Sequence, residues 1–186
     1  MLAAREDLAD KASQIAESKG FTLFGMINNM LELTVSVEAM GISLEEAVDN
    51  YSTIKAIKNA SFTLVLESLL YDTVEIAYQK AKEKTLKTWF EAGVWVGRQY
   101  SSRGIGDPFT SVVKDLQAFS WNAPEFSIDN REKEVSVRVL SPRFSESYTL
   151  LFNKFLEGIL EAFDYVVSFR EVGKGNIRLE AVKKGG

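Results

Sequence analysis

The chain has 186 residues, 46% hydrophobic and 26% charged, enough for one full core or a core plus a small appended module, and neither disordered nor fibrous in composition. With no cysteine and no histidine it excludes disulfides, thiolate chemistry, conventional zinc sites, a histidine-ligated haem and a Ser-His-Asp triad. Only all-oxygen magnesium or calcium sites remain, and no D-x-D-x-D-G run is present. The expectation is a binding protein with no catalytic residue, no metal and no cofactor.

Glu6 to Lys19 reads as a helix, with Leu8, Ala12, Ile15 and Ala16 at helical spacing and Gly20 as its stop. Thr22 is placed to cap a second helix running to about Leu33, carrying Leu23, Met26, Ile27, Met30 and Leu31. Gly41-Ile-Ser43 opens a third helix, with Ser43 and Glu46 as a capping box. The charge-free run from Gly20 to Leu31 falls short of the ~20 apolar residues that cross a bilayer, so no membrane span is expected. The first residues lack a basic start followed by an apolar block, so no secretory signal is expected, and the absence of cysteine fits a cytoplasmic location.

Phe62 to about Tyr100 is the longest helical stretch, with a break expected near Lys82–Lys87. Leu66, Leu69, Leu70, Val74, Ala77, Tyr78 and Ala81 form a stripe continued by Leu86, Trp89, Phe90, Val94 and Trp95. Glu67, Tyr71, Glu75 and Tyr78 share one face, read as solvated rather than as an acid–base pair in a cleft. Gly93-x3-Gly97 is a close-packing signature for another helix. Ser101 to Pro108 is a loop, and a short helix spans Phe109 to Phe119.

From Trp121 the period changes to two. Phe126 and Ile128 alternate with polar residues, as do Val135, Val137 and Val139, with Asp129-Asn130 as the hairpin turn between them. Tyr148 to Phe163 returns to helix, and Val166–Val172 and Ile177–Val182 are strands joined by a tight turn at Gly173-Lys-Gly-Asn176. Gly173-Lys-Gly175 has no following helix and is a turn, not a phosphate loop. The expected fold class is α+β: an N-terminal helical hairpin and connector helices, then a four-stranded antiparallel sheet with helices packed on one face.

The segment 1–33, through Leu8-x3-Ala12-x2-Ile15-Ala16, the turn Lys19-Gly20-Phe21, Thr22 and Met26-Ile27-x2-Met30-Leu31, resembles the ribbon-helix-helix family of dimeric DNA-binding proteins. The resemblance implies a strand before the first helix that pairs with its twin, here Met1 to Arg5, with Arg5 and Thr22 as the DNA-contacting positions. Residues 1–60 hold five basic and nine acidic groups, so a strongly basic footprint is absent and DNA binding is expected to be weak.

Residues 62–183 resemble the vinyl-reductase-type ligand-binding domain, itself similar to subunits of the TRAPP vesicle tether. The matching pieces, in order, are Gly93-Val-Trp-Val-Gly97, Trp121, Val135 to Pro142, Phe155-Leu-Glu-Gly158-Ile-Leu-Glu161 and Val172 to Leu179. The cysteines that family members commonly carry near the last helix and hairpin are absent here. The resemblance implies a small-molecule pocket beneath the sheet and a dimer. The sequence is thereby divided into 1–40, a ribbon-helix-helix-like dimerisation module; 41–61, a helical connector; and 62–186, a vinyl-reductase-like α+β domain.

Trp89, Trp95, Phe155, Ile159 and Phe163 are the candidate ligand-lining residues, although a plain core accounts for the same aromatics. Tyr148 and Arg138 are the candidate polar groups of a pocket between the sheet and the Tyr148–Phe163 helix. The whole reads as a homodimeric, ligand-responsive transcriptional regulator. The alternative is a partner-binding homodimer with a filled core and no DNA contact.

Overall fold

The computed structural model describes residues 5–59, 62–102, 104, 106–120, 122–131 and 133–185. The expectations for Met1 to Ala4 of the N-terminal strand, and for Trp121, lie outside these residues. The chain divides into two compact units, Met1–Ser52 and Thr53–Gly186, so the division falls inside the segment expected as a connector. It is an α+β fold of six helices and one four-stranded antiparallel sheet among the described residues.

In the first unit, α1 spans Glu6–Ser18, with Glu6 and Asp7 in its first turn where the helix dipole favours negative charge. It ends in a Schellman motif: Phe21 N–H donates to the Ala16 carbonyl at 2.9 Å, Gly20 N–H donates to that of Glu17 at 3.1 Å, and Gly20 sits at φ +72°. Helix α2 spans Leu23–Ala39, capped by Thr22, whose Oγ1 accepts from Gly25 N–H at 3.0 Å. It runs six residues past the expected end at Leu33, because no breaker occurs before Gly41, which takes φ +80°. Helix α3 (Leu44–Asn59), within which the division falls, starts where Ser43 Oγ accepts from Glu46 N–H at 3.1 Å. Of the described residues 5–52, only Ala16 is buried.

In the second unit, α4 covers Glu67–Ser101 and bends at Ala81, which leaves the helical region (φ −152°, ψ 55°), one residue before the expected break. Thr85 Oγ1 donates to the Ala77 and Ala81 carbonyls across the bend. Residues 62–66, expected as helix, have no regular structure, and Leu66 is extended without a capping side chain. Helix α5 (Pro108–Phe119) has proline at its first position and Asp107 as its cap. Asp107 Oδ1 accepts from Phe109 and Thr110 N–H at 3.1 and 3.2 Å, and Thr110 Oγ1 donates to Oδ2. The Thr110 hydroxyl first, then these amides, hold the Asp107 carboxyl below the usual aspartate range. Asp107→Ala should cost about 1 kcal/mol, measured by denaturant unfolding, while Asp107→Asn should cost less than half of that.

Strands β1 (Glu125–Arg131) and β2 (Glu134–Leu140) form a hairpin, and after α6 (Glu146–Ala162) come β3 (Tyr165–Gly173) and β4 (Asn176–Lys183). Strand order is β1-β2-β4-β3, antiparallel throughout. Asp129 and Asn130, expected as the turn, lie inside β1 opposite Ser136 and Val135. Pairing continues to Arg131 and Glu134, because the inward Ile128 must face Val137 and that register carries the strands three residues further.

The inner sheet face is Val135, Val137, Val139, Ile177, Leu179 and Ala181, all essentially inaccessible. Helix α6 lies on this face, burying Leu151, Leu156 and Leu160, and α4 packs on α6. The crossing needs glycine on both sides. A Cβ at Gly93 would collide with the Phe155 carbonyl, and one at Gly158 with the Phe90 carbonyl. The expected role of Gly93-x3-Gly97 in helix packing is thus found, with Gly97 seated against Ala162. Gly175, at φ +73°, presses against the Ser141 carbonyl; its N–H donates to Thr149 Oγ1 at 2.9 Å and its carbonyl accepts from Ser141 N–H at 2.8 Å. These bonds tie the β3–β4 turn to the start of α6 and the end of β2.

Candidate functional site

The second unit contains a groove of about 400 Å³ lined mainly by apolar side chains. One wall is α6, which brings Tyr148, Phe152 and Phe155 to the same side on successive turns. Opposite lie Phe62, Leu64 and Val65 of the irregular 62–66 segment and Leu70 of α4, with Leu116 and Phe119 of α5 at the end. Phe62 and Phe119 meet at 5.4 Å between ring centres.

The polar edge is built by one chain of hydrogen bonds. Asn122 Nδ2 donates to Tyr71 Oη at 3.2 Å, and Tyr71 O–H donates to Glu67 Oε1 at 2.7 Å. Arg143 Nη1 pairs with Glu67 Oε2 at 3.2 Å. Asn122 is itself fixed, since Ser141 Oγ donates to its backbone carbonyl at 2.5 Å. Desolvation by burial is the first cause raising the Tyr71 phenol above its ordinary value, with the Glu67 hydrogen bond next. Burial likewise pushes Tyr148 up to about 12, while the neighbouring Asn122 amide pulls it back and the Glu67 charge adds to the rise.

These shifts carry a pH dependence with a definite sign. The unfolded phenols ionise near 10, before the folded ones, so their contribution to stability is complete below pH 10, and that of Tyr148 is lost as pH rises toward about 12. Each such group contributes a slope of at most about 1.4 kcal/mol per pH unit. Tyr148→Phe should flatten the fall measured by denaturant unfolding between pH 10 and 12. An unchanged slope would mean that Tyr148 is not held protonated by the fold.

The sequence-predicted lining residues do not converge on this groove. Phe155 lines it. Trp89 stands behind it, edge-on to the Tyr148 ring at 5.6 Å. Trp95 is half exposed on α4, beside Phe90, Val94, Arg98 and Glu161. Ile159 is buried at the α4–α6 crossing next to Gly93 and Gly97. Phe163 is buried against Phe109, 5.2 Å away. Between sheet and α6, where the pocket was expected, Leu151, Leu160, Val137 and Leu179 fill the space. Of the two polar candidates, Tyr148 borders the groove, and Arg138 stands on the outer face of the sheet opposite Arg178.

The groove instead draws on Glu67, held by Tyr71 on the same helical face that was expected to be solvated, and on Asn122 and Arg143, which no pattern singled out. Their one sequence signal was the i,i+4 spacing of Glu67 and Tyr71. In the first unit, Arg5 is exposed and its guanidinium is bound by Asp7 through Nε at 2.9 Å and Nη2 at 2.6 Å. Thr22 spends its hydroxyl on the α2 cap. Among the described residues no cluster of acidic side chains is arranged to hold a metal ion. No helix there is long and apolar enough to cross a membrane.

No family model matches the chain, and no curated protein matches it. A solved structure described as "Probing the function of heme distortion in the H-NOX family" aligns with 76% of this chain and 89% of that chain, at 15% identity and a TM-score of 0.40. A likeness of that degree carries nothing about what this chain binds.

Proposed function

We propose that the chain is a homodimeric regulatory binding protein whose second unit takes a small apolar molecule in the groove beside α6. The observation that carries this reading is the groove itself. Its volume and its apolar lining with a few converging polar groups match small-molecule sites, which occupy roughly 300–1,000 Å³. A ligand that binds only the folded chain should raise stability by ~2.7 kcal/mol at one hundred times its dissociation constant. Thermal-shift screening against aromatic and lipid compounds tests this, with Leu70→Trp as the control. The indole would fill the groove, at ~1–3 kcal/mol of overpacking, and abolish the shift. A screen with no stabilising compound, or a shift that survives Leu70→Trp, removes the reading.

The dimeric part of the proposal is supported by the apolar side chains left exposed along α1–α3. The wider reading, regulation of transcription, is supported by the ribbon-helix-helix resemblance of residues 1–33, with ligand binding shifting the populations of the dimer's states. A second reading, a homodimer that does not touch DNA, is favoured by the capture of Arg5 by Asp7 and by the acidic excess around it. The two separate by electrophoretic mobility shift at graded salt. Weak binding that is lost between 50 and 200 mM salt marks a few phosphate contacts. Tight binding to one duplex that disappears on Arg5→Ala supports a sequence-reading protein.

A further inference from the structure

The groove's lining is of two kinds. Along α6, Tyr148 stacks on Phe152 (5.8 Å, 9°) and Phe152 on Phe155 (6.1 Å, 14°), so three near-parallel rings in an offset row make this side of the lining aromatic. An aromatic ligand gains edge-to-face or offset-stacked ring contacts with such a row that an aliphatic one does not. The lining charges are Glu67 and Arg143. Each oxygen of Glu67 already has a partner, Tyr71 O–H on Oε1 and Arg143 on Oε2. Arg143 meets Glu67 as an ion pair through Nη1 alone and has no other partner among the described residues, so most of the five donors of its guanidinium are unspent.

The imbalance selects the head group. A cation would meet an occupied carboxylate and the repulsion of Arg143. A neutral amide or hydroxyl would leave the guanidinium donors to water. A carboxylate uses them in a planar, charge-assisted pair without displacing Glu67. Resting on the reading of this groove as a ligand site, we infer that its ligand is a flat aromatic carboxylate, with the carboxylate on the free N–H edge of Arg143 and the ring against Tyr148, Phe152 and Phe155.

Calorimetric titration of the full chain with 2-naphthoate, the isosteric but uncharged 2-naphthamide, and octanoate tests this. The expected order is naphthoate tighter than naphthamide by ~10-fold, and tighter than octanoate by at least as much. Arg143→Gln should bring naphthoate and naphthamide within about twofold of each other, and circular dichroism shows whether that variant is folded. Raising salt on the unaltered chain gives an independent reading, since only naphthoate binding should weaken. Naphthamide binding as tightly as naphthoate, or a preference for naphthoate that survives Arg143→Gln, overturns the carboxylate assignment and leaves the groove reading standing. Octanoate binding as tightly as naphthoate overturns the flat ring. If none of the three binds, the groove reading falls and this inference with it.

Discussion

Gly158→Ala should destabilise the second unit by about 3 kcal/mol, against the usual direction of such a change. In an exposed helix interior the same substitution stabilises by up to ~1 kcal/mol, because alanine loses less backbone entropy than glycine. Here the methyl would enter the Phe90 carbonyl and crowd Val94 N, all backbone atoms of α4 that no rotamer change can move aside. Gly93→Ala meets the Phe155 carbonyl from the opposite helix and should cost a similar amount. The two are faces of one crossing, so the double variant should cost less than the sum, because helices already forced apart admit the second methyl at little further expense. Urea unfolding of the three variants measures this. A neutral or stabilising Gly158→Ala would show that the helices do not approach this closely.

The second large effect concerns assembly. Fourteen large apolar side chains between Leu8 and Ile54 are at least 40% exposed, among them Phe24 at 77% and Met40 at 71%. Soluble monomers rarely leave more than roughly a few hundred Å² of contiguous apolar surface open to water. Helix α2 is apolar on most sides, with Glu32 and Glu38 as its only charges, a pattern that belongs to a buried helix. The full chain should therefore be a dimer in sedimentation equilibrium, and a chain beginning at Gly41 should be monomeric or much weaker. Phe24→Glu with Ile27→Glu, placing unpaired carboxylates in such an interface, should weaken dimerisation at least ~100-fold while leaving the thermal unfolding of the second unit in place. A monomeric full chain, or a dimer indifferent to these changes, would contradict this.

How much of this was legible in the sequence depends on the physics behind each element. The sheet was readable because period-two burial is unambiguous once Val135, Val137 and Val139 alternate with Glu134, Ser136 and Arg138. Caps at Thr22 and Ser43 were readable because their chemistry is local. The end of α2 was not, because its apolar residues run on around the helix to Ala39 and no stripe marks a boundary. The turn at Asp129-Asn130 was misplaced because turn propensity there gives way to the packing of Ile128 on its neighbours.

The candidate site was harder for a different reason. A large apolar residue on a helix is the same sequence event whether it fills a core, as Ile159 and Phe163 do, or borders a groove, as Phe155 does. Glu67, Tyr71, Asn122 and Arg143 come together from α4, the segment before β1 and the segment after β2, a juxtaposition that only the fold creates. The i,i+4 pair of Glu67 and Tyr71 looked like a solvated helix face because its third and fourth partners lie far along the chain.

The central claim, a small-molecule site beside α6, is tested most directly by nuclear magnetic resonance of the isotope-labelled chain as 2-naphthamide is added. Saturable shifts are expected to centre on Leu70, Leu116, Phe152 and Phe155, with Ile159, Leu160 and Val137 little moved because they lie in filled packing. Shifts centred on Ile159, Leu160 and the inner valines, or no saturable shift at all, would contradict it.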